Sequence, residues 1–239
     1  MSVVIVIPAF NAERHIQGVL TRISALDGCR LAQVIVVNDG SSDETARAVR
    51  ESNFERCPLR LIDRSQNGGY GAAMKDGLEA ARLLDPEIVA CVHADGQYSP
   101  EALPELCRAL RDGRRDLLQG SRIASGTALS GGMPRYKIAA NAALNLLENH
   151  TFGLAMTDYH SGYLIYGRRA LGLPFRTLSN SFDFDLEVIA CARARNLSVG
   201  EAPIPTHYGN EISHLNPMTY GLRVLRVIWN YRRGHYAAA

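Results

Sequence analysis

The sequence predicts an α/β fold built on a doubly wound, mostly parallel sheet with helices on both faces. Three runs of the sequence are apolar at every position: Val3–Ile7, Val34–Val37 and Ile88–Val92. Such runs are typical of strands that are covered on both faces of a sheet. Segments with the spacing of amphipathic helices lie between these runs. Strands that alternate with helices along a chain form parallel sheets, so both observations favour this fold class.

The first two connections have the patterns of helices. The apolar residues between the first two strands recur three or four positions apart: Ile16, Val19, Leu20, Ile23 and Leu26. After the second strand, Ser41 and Glu44 have the spacing of a capping box. This spacing predicts a helix that begins there and ends near residue 52.

The same alternation continues to residue 122. Leu59–Asp63 is predicted to be a strand and Ala72–Leu84 a helix. Ser99-Pro100-Glu101 begins another helix, because proline suits the first helical turn, and Leu117–Gln119 is the next strand. The first half of the chain therefore resembles the sheets that bind nucleotides.

The second half, from residue 123 onward, has a different pattern. Tyr136–Asn149 and Phe182–Ala194 are predicted helices, with the short strand Tyr163–Tyr166 between them. Ser125–Gly132 is a loop by composition. Since no linker or internal repeat separates the halves, we expect a single domain over residues 1–239.

Composition excludes several classes of protein. An apolar fraction of 46% excludes disorder, and 26 basic against 24 acidic residues, a net charge of +2, argue against a nucleic-acid partner. Five cysteines without a Cys-x-x-Cys pair argue against zinc and disulfides and favour reduced thiols in the cytoplasm. We expect neither a signal peptide nor a membrane-spanning helix, because the N-terminal apolar run lacks a basic flank and no run of about 18 apolar residues exists.

Carboxylates follow two of the predicted strands. Gly69–Met74 lacks the third glycine of a dinucleotide fingerprint, and the chain has no P-loop sequence. Asp39 follows Val34–Val37 and Asp95 follows Ile88–Val92, and ligands of open α/β sheets bind outside the carboxyl ends of the strands. An aspartate there could accept hydrogen bonds from a base or ribose, or hold a cation against a diphosphate. A turn or helix-cap role is the structural alternative.

Four stretches resemble the motifs of the family 2 glycosyltransferases, in the family's order and spacing. They are Pro8–Asn11, Val36–Asp43, Asn67–Ala73 and Ala94–Gln97. Within the family, the sequence is most similar to the dolichyl- and polyprenyl-phosphate hexose synthases. The resemblance implies a GT-A fold and an inverting transfer of a hexose from a UDP- or GDP-linked sugar to a polyprenyl phosphate or a saccharide. It makes residues 1–122 the nucleotide-sugar-binding half and residues 123–239 the acceptor-side half.

The resemblance also implies roles for individual residues. At the nucleotide sugar it places Pro8, Phe10, Asn11, Val37, Asp39, His93 and Ala94. Asp95 would bind a divalent metal, Mn²⁺ or Mg²⁺, with Gln97 beside it. Arg122 would face the donor diphosphate or an acceptor phosphate. Arg135 lies where these synthases have a second phosphate-binding arginine, with a solvated residue at a helix N-terminus as the alternative.

Three departures from the family pattern bear on these roles. His93 replaces the first carboxylate of the common Asp-x-Asp, and imidazole suits Mn²⁺ better than Mg²⁺, so contact with ribose or phosphate is its alternative role. The acidic group after the first strand is displaced by one residue, in Asn11-Ala12-Glu13. His207–Ser213 replaces a late Arg and Ser-Lys, which weakens the assignment of the acceptor more than that of the donor.

The nature of the acceptor decides whether a general base is required. A phosphate oxygen is already ionised at neutral pH, whereas a sugar hydroxyl needs a carboxylate within reach. Asp183, Asp185 and Glu187 are the candidates; the resemblance places an acidic residue of this segment near the acceptor, and we select Asp185. Asp158 precedes a stretch similar to the family's Asp-x-x-Ser-Gly-Phe and is expected on the acceptor side. The predicted catalytic set is therefore Asp185, Asp158 and Arg122, with capping or solvation as the alternative for each aspartate.

A helix is predicted over Pro217–Tyr231. Its apolar stripe and flanking cations are Leu222, Leu225, Ile228 and Trp229, with Arg223, Arg226, Arg232 and Arg233. One interpretation is docking at the anionic inner face of a membrane, and the other is ordinary packing on the core. Since no membrane-spanning helix is expected, contact with a membrane would be peripheral.

Two other classes of function compete with glycosyl transfer. A sugar nucleotidyltransferase would require a glycine-rich loop with Arg or Lys directly after the first strand, and Pro8–Asn11 is not such a loop. A non-catalytic module that binds nucleotide sugars is opposed by Asp39 and Asp95. His93 and the missing late basic motif keep that alternative open.

Overall fold

The computed structural model describes residues 2–124, 126, 135–205 and 217–238, with the backbone alone at 135–140, 217–218 and 238. Within these ranges seven strands form one sheet. The strands are β1 (Ser2–Ala9), β2 (Arg30–Asn38), β3 (Leu59–Asp63), β4 (Ile88–Cys91), β5 (Leu117–Ser121), β6 (Leu164–Gly167) and β7 (Val199–Pro203). The α-helices are α1 (Ile16–Ser24), α2 (Thr45–Arg50), α3 (Tyr70–Arg82), α4 (Leu103–Asp112), α5 (Arg135–Phe152), α6 (Phe184–Ala194), α7 (Pro217–Arg232) and α8 (His235–Ala238).

The strand order confirms the predicted doubly wound, mostly parallel sheet. The order is β3-β2-β1-β4-β6-β5-β7, and β6 alone runs antiparallel to its neighbours in the described sheet. The chain starts at β1 inside the sheet, adds β2 and β3 on one side, and then crosses to β4 on the other. The junction of β1 and β4 is therefore a switch in strand order, and open α/β sheets bind ligands at the carboxyl end of such a switch.

Strand β1 is buried on both faces, which explains why apolar and polar residues do not alternate in its sequence. Val4 and Val6 pack into the core formed with α3, α6 and α7, whereas Val3, Ile5 and Ile7 pack into the core formed with α1 and α4. All five side chains are fully buried. A strand covered on both faces needs apolar residues at every position, so the continuous run identifies it correctly.

The capping box predicted at Ser41 is wrong. Helix α2 begins at Thr45, and its N-cap residue Glu44 makes no side-chain capping bond. Ser41 Oγ instead accepts a hydrogen bond from the Asn11 backbone N–H at 2.9 Å and donates to Asn38 Oδ1 at 2.5 Å. A serine hydroxyl satisfies polar groups in loops as readily as at helix ends, and here it joins the loops that follow β1 and β2.

Other differences concern element ends and one strand. Helix α3 begins two residues earlier than predicted, at Tyr70, and α6 begins two residues later, at Phe184. A 3₁₀ turn over Pro100–Ala102 precedes α4. Strand β7 was not predicted, because its sequence Val-Gly-Glu-Ala-Pro is short, mixed in polarity and ends in proline. Proline is tolerated in β7 because that strand is at the edge of the sheet.

Helix α7 packs on the core and also carries an exposed apolar side. Val224, Val227 and Ile228 are buried in the core on the side where α7 packs against α5, α6 and α8, whereas Leu222 and Trp229 are exposed. Ile228 therefore does not belong to the exposed part of the predicted stripe, because it lies about 120° around the helix from Leu222 and is buried with Val224 and Val227.

Cysteine pairing and membrane spans can be checked directly. All five cysteines are free thiols, as expected. Among the described residues no helix has both the length and the apolar content needed to cross a bilayer. Apart from Gly126, the predicted loop Ser125–Gly132 lies outside the described residues, and so does His207–Ser213.

The start of α3 packs tightly against residues 178–182, which precede α6. A Cβ atom on Gly71 would overlap the Ser179 carbonyl oxygen and would lie 2.9 Å from the carbonyl carbon of Asn180. The Lys75 ammonium, almost fully buried, donates hydrogen bonds to the Leu178 carbonyl and, at 2.7 Å, to Asn180 Oδ1. This contact joins the first half of the chain to the second.

We predict that Gly71→Ala lowers the free energy of unfolding by about 1–3 kcal/mol, because the added methyl group must displace the backbone at Ser179. Urea denaturation measures this change. Gly18→Ala is the matched control, since Gly18 lies on an exposed helix face and a Cβ there meets nothing within 4 Å. The control is expected to gain about 0.5–1 kcal/mol from better helix propensity, and an equal gain for Gly71→Ala would contradict the contact.

Candidate active site

The predicted nucleotide-sugar residues gather at the carboxyl ends of β1 and β2. Pro8 and Val37 are paired across these two strands. Phe10 follows β1 and is half exposed, so its ring is available to a ligand. Asn11 has a left-handed backbone with φ of 51°, and its Oδ1 accepts a hydrogen bond from the Ser42 N–H at 2.9 Å. The structure therefore brings these four residues to one edge of the sheet.

Asp39 is a buried carboxylate that is held by the protein itself. Its Oδ1 accepts from the Gly68 N–H at 3.0 Å, and its Oδ2 accepts from the Gly69 N–H at 2.8 Å. Arg64 forms an ion pair with it at 3.1 Å and also pairs with Asp76 at 2.8 Å. Asp39 thus fixes the glycine loop before α3 against the end of β2.

Sequence reasoning did not assign roles to Gly68, Gly69 or Arg64. The Asn67-Gly68-Gly69 sequence directly before a helix was a usable signal, because backbone N–H groups at a helix start are free to bind an anion. Here that anion is the Asp39 carboxylate, and Gly69 permits the required φ of 95°.

Among the described residues, His93 is surrounded by aromatic rings and not by a group of metal-ligating side chains. Its ring is tilted against Tyr70 with centroids 5.6 Å apart, and it meets Tyr98 edge-on at 5.0 Å. Its Nε2 lies 3.1 Å from the Gly162 carbonyl oxygen. Burial lowers the pKa of His93, whereas the negative charge of Asp95 acts in the opposite direction. Since the pKa is lowered overall, the neutral ring is favoured. A neutral ring that donates from Nε2 to a carbonyl keeps Nδ1 as an acceptor.

Ala94, Asp95 and Gln97 follow His93 in the loop after β4. Ala94 is buried, whereas Asp95 is partly exposed and accepts a hydrogen bond at Oδ1 from the Gln97 backbone N–H at 3.0 Å. In the part of the chain that the structure describes, no three His, Cys, Asp or Glu side chains form a group that could hold a metal ion. Asp95 is therefore a partly exposed carboxylate that the described residues do not complete into a metal site.

Asp185, in the first turn of α6, is buried with one oxygen bonded and one not. The Tyr70 hydroxyl donates to Oδ2 at 2.7 Å, whereas the buried Oδ1 has no hydrogen-bond partner among the described residues. Burial raises the pKa of Asp185 to about 7, and the Tyr70 hydrogen bond acts in the opposite direction. Burial and the Asp185 charge also hold the pKa of Tyr70 well above its ordinary value, so that Tyr70 remains a donor.

The neighbouring acids of α6 are occupied by structural bonds. Asp183 accepts from Ser179 Oγ at 2.8 Å and from Arg223 at 2.9 Å. Glu187 accepts from the Ser179 N–H and, at 2.8 Å, from the Tyr236 hydroxyl. Of the three acids, Asp185 is the one with a buried oxygen that no described residue bonds.

Arg122 and Asp158 form a buried, two-pronged ion pair. Arg122 Nε lies 2.7 Å from Asp158 Oδ2, and Nη2 lies 2.9 Å from Oδ1. The backbone N–H groups of Arg122 and His160 also donate to Asp158, at 3.2 and 3.0 Å. Burial opposes ionisation of Asp158, but the charge and hydrogen bonds of Arg122, together with the charge and backbone N–H of His160, outweigh it, and the pKa lies below its ordinary value. Asp158 is thus an ionised partner that fixes the guanidinium.

Most of the candidate site residues described above lie next to one another. A Cβ atom on Gly162 would lie 2.7 Å from His93 Nε2 and 3.4 Å from Asp185 Oδ2. Tyr98 contacts the His93 ring and lies 3.5 Å from Arg122 Nη1 through its hydroxyl. The two tyrosines, Tyr70 and Tyr98, were not predicted as site residues. Arg135 begins α5, and its side chain lies outside the described residues.

The sequence and the fold are both similar to those of known proteins. The model of the family described as Glycosyl transferase family 2 matches residues 4–172. UDP-N-acetylglucosamine–dolichyl-phosphate N-acetylglucosaminyltransferase of Methanococcus voltae is 27% identical over 217 residues, covering 85% of each chain. Polyprenol monophosphomannose synthase of Mycolicibacterium smegmatis is 26% identical over 203 residues, covering 84% of this chain and 75% of the relative.

A solved structure of glucosyl-3-phosphoglycerate synthase from Mycobacterium tuberculosis, in complex with Mn²⁺, UDP and glucosyl-3-phosphoglycerate, has a similar fold. The TM-score is 0.68 at 19% identity, over 98% of this chain and 79% of that chain. At this identity the likeness shows a common fold, GT-A. Since the matched family model covers more than half of the sequence, this chain belongs to glycosyl transferase family 2.

Proposed function

We propose that this protein transfers a hexose, with inversion, from a UDP- or GDP-linked sugar to a polyprenyl phosphate or a saccharide. The observation that carries the proposal is Asp185, a buried carboxyl near His93 and Tyr70 with one oxygen that no described residue bonds. Relatives named for transfer to dolichyl phosphate and for polyprenol monophosphomannose synthesis support the acceptor class.

The nucleoside end of the donor would occupy the edge formed by β1 and β2. The half-exposed Phe10 ring offers an apolar face to the base, beside Pro8 and Val37. Asp39 would contact the base or ribose while its bonds to Gly68 and Gly69 keep it fixed. A pre-ordered carboxylate binds a hydroxyl or imino donor without further loss of side-chain entropy.

A divalent cation fits this edge only if the donor completes its coordination. Mg²⁺ commonly binds through one or two carboxylates together with substrate phosphates, and a single partly exposed Asp95 provides such a set. Asp95 would hold Mn²⁺ or Mg²⁺ with Gln97 beside it. The cation would neutralise charge on the departing diphosphate. His93 would accept a hydrogen bond from a ribose hydroxyl through Nδ1, because its Nε2 is bonded to Gly162. Contact of Nδ1 with an ionised phosphate would require the protonated ring, since phosphate has no proton to donate.

Arg122 and Asp158 would act together on the leaving group, Arg122 by direct contact and Asp158 by holding Arg122 in place. The guanidinium stabilises the negative charge that builds on the departing nucleoside diphosphate. Asp158 acts as its positioning residue through the two-pronged ion pair, and not as a proton acceptor. Arg135 at the start of α5 would bind the acceptor phosphate.

Asp185 would serve as the base when the nucleophile is a sugar hydroxyl. Its oxygen takes the hydroxyl proton while the hydroxyl oxygen bonds to the anomeric carbon and the bond to the diphosphate breaks. A base with a pKa of about 7 is half ionised at neutral pH and remains a competent proton acceptor. A lipid phosphate oxygen needs no such step, so the two acceptor classes differ in their dependence on Asp185.

Asp95→Ala is expected to reduce transfer about 100-fold or more, because loss of the cation removes several kcal/mol of charge stabilisation from the transition state. Release of nucleoside diphosphate from a panel of UDP- and GDP-sugars, with Mn²⁺ or Mg²⁺ and with lipid phosphate or saccharide, measures this loss. Asp112→Ala is the control, since Asp112 is exposed and pairs with its neighbour Arg111. Full activity of Asp95→Ala would contradict the assignment.

The pH dependence of kcat/KM with a saccharide acceptor tests the base. A base works when it is deprotonated, so activity should rise with pH through a midpoint of about 7. Tyr70→Phe should move this midpoint to higher pH, because the Tyr70 hydrogen bond lowers the pKa of Asp185. Asp185→Asn should abolish transfer to a hydroxyl while transfer to a lipid phosphate persists.

The matched variant for that experiment is Asp158→Asn. It should lower kcat without moving the pH midpoint, because Asp158 acts through Arg122. A midpoint that moves with Asp158→Asn but not with Tyr70→Phe would make Asp158 the titrating base instead.

A further inference from the structure

Helix α7 is apolar on two opposite sides. Its inner face packs on the core through Val224, Val227 and Ile228. Leu222, Leu225 and Trp229 are exposed to 66%, 49% and 58% of their surfaces. We define these three residues and Arg226, which are spaced i, i+3, i+4 and i+7, as the outer face of α7. Such a row of exposed large apolar side chains marks an interaction surface.

The outer face is also strongly cationic. Arg226 lies on it, and the Arg233 guanidinium carbon lies 4.7 Å above the Trp229 ring. Residues 212–239 contain four arginines and no Asp or Glu, while the rest of the chain has 22 basic and 24 acidic residues. Positive charge is thus concentrated on the segment that exposes the apolar row.

We infer that the outer face of α7 docks on an anionic membrane surface. An interfacial helix buries leucine and tryptophan at the headgroup boundary and places arginine among anionic headgroups. A second copy of this chain fits less well, because a two-fold contact would bring Arg226 of one copy near Arg226 of the other. The interleaving of cations with apolar residues therefore selects the lipid surface.

The position of α7 connects this surface to the candidate site. The Tyr220 hydroxyl lies 2.9 Å from His160 Nδ1, and the backbone N–H of His160 donates to Asp158, which holds Arg122. Arg223 bonds Asp183 at the start of α6. The outer face thus belongs to the helix that borders Arg122 and Asp185, and docking would place the site beside the lipid headgroups.

The test uses Trp229, which is the one tryptophan of the chain and so reports on this surface alone. Its fluorescence is followed on addition of vesicles of phosphatidylcholine with and without phosphatidylglycerol. We expect a blue shift, and quenching by brominated lipid, with the anionic vesicles. Co-sedimentation gives the affinity, which should fall as ionic strength rises.

Two double variants separate the apolar and the charge contributions. Leu222→Ser/Leu225→Ser should lower the vesicle affinity about tenfold or more while Trp229 still reports. Leu83→Ser/Leu84→Ser is the matched control, since these leucines are also exposed but lie at the end of α3, and it should bind as the unaltered protein does. Arg226→Gln/Arg233→Gln should lose the preference for anionic vesicles.

Several outcomes would overturn the inference. These are no change of Trp229 fluorescence with anionic vesicles, equal loss of affinity in the two leucine variants, or a fluorescence shift that follows protein concentration without lipid. The last result, with a dimer in sedimentation velocity, would assign the outer face to a second copy of the chain. Vesicle binding requires neither donor nor acceptor, so its failure is distinguishable from failure of the proposed transfer.

Discussion

The contact between the start of α3 and the segment before α6 determines the geometry of the site. Gly71 has no side chain because the Ser179 carbonyl occupies that space, and Lys75 is bonded to Leu178 and Asn180 on the same segment. The contact sets Tyr70 against Asp185. It therefore places a carboxyl from the second half of the chain beside a sheet edge built by the first half.

Three buried aspartates differ in the number of hydrogen bonds and ion pairs that they receive, and this difference sets their chemical roles. Asp39 is bonded by two backbone N–H groups and an arginine, and Asp158 is paired on both oxygens with Arg122. Among the described residues, Asp185 has a single side-chain bond, from Tyr70, and its other oxygen is buried without a partner. The charge and hydrogen bonds around Asp158 hold its pKa below the ordinary value, so Asp158 stays ionised and fixes Arg122. Burial raises the pKa of Asp185 to about 7, so Asp185 can exchange a proton near neutral pH.

The sequence predicts what depends on local pattern. The buried strands are recognisable because every position is apolar, and Asp39 and Asp95 are recognisable because each directly follows a strand. Local pattern does not predict which side chains pair when they are far apart in the sequence. Tyr70 is 115 residues from Asp185, and Arg122 is 36 residues from Asp158. Local pattern also does not say whether a polar side chain caps its own helix or bonds another loop, which is why Ser41 was misassigned.

The most direct test of this account is the titration of the Asp185 carboxyl by ¹³C NMR in protein labelled at aspartate Cγ, with the resonance assigned from Asp185→Asn. We expect a midpoint of about 7, because the carboxyl is buried and the described residues bond only one of its oxygens. A midpoint near the ordinary aspartate value of about 4 would contradict it, since Asp185 would then be compensated like Asp39 and Asp158 and would be a poor base at neutral pH.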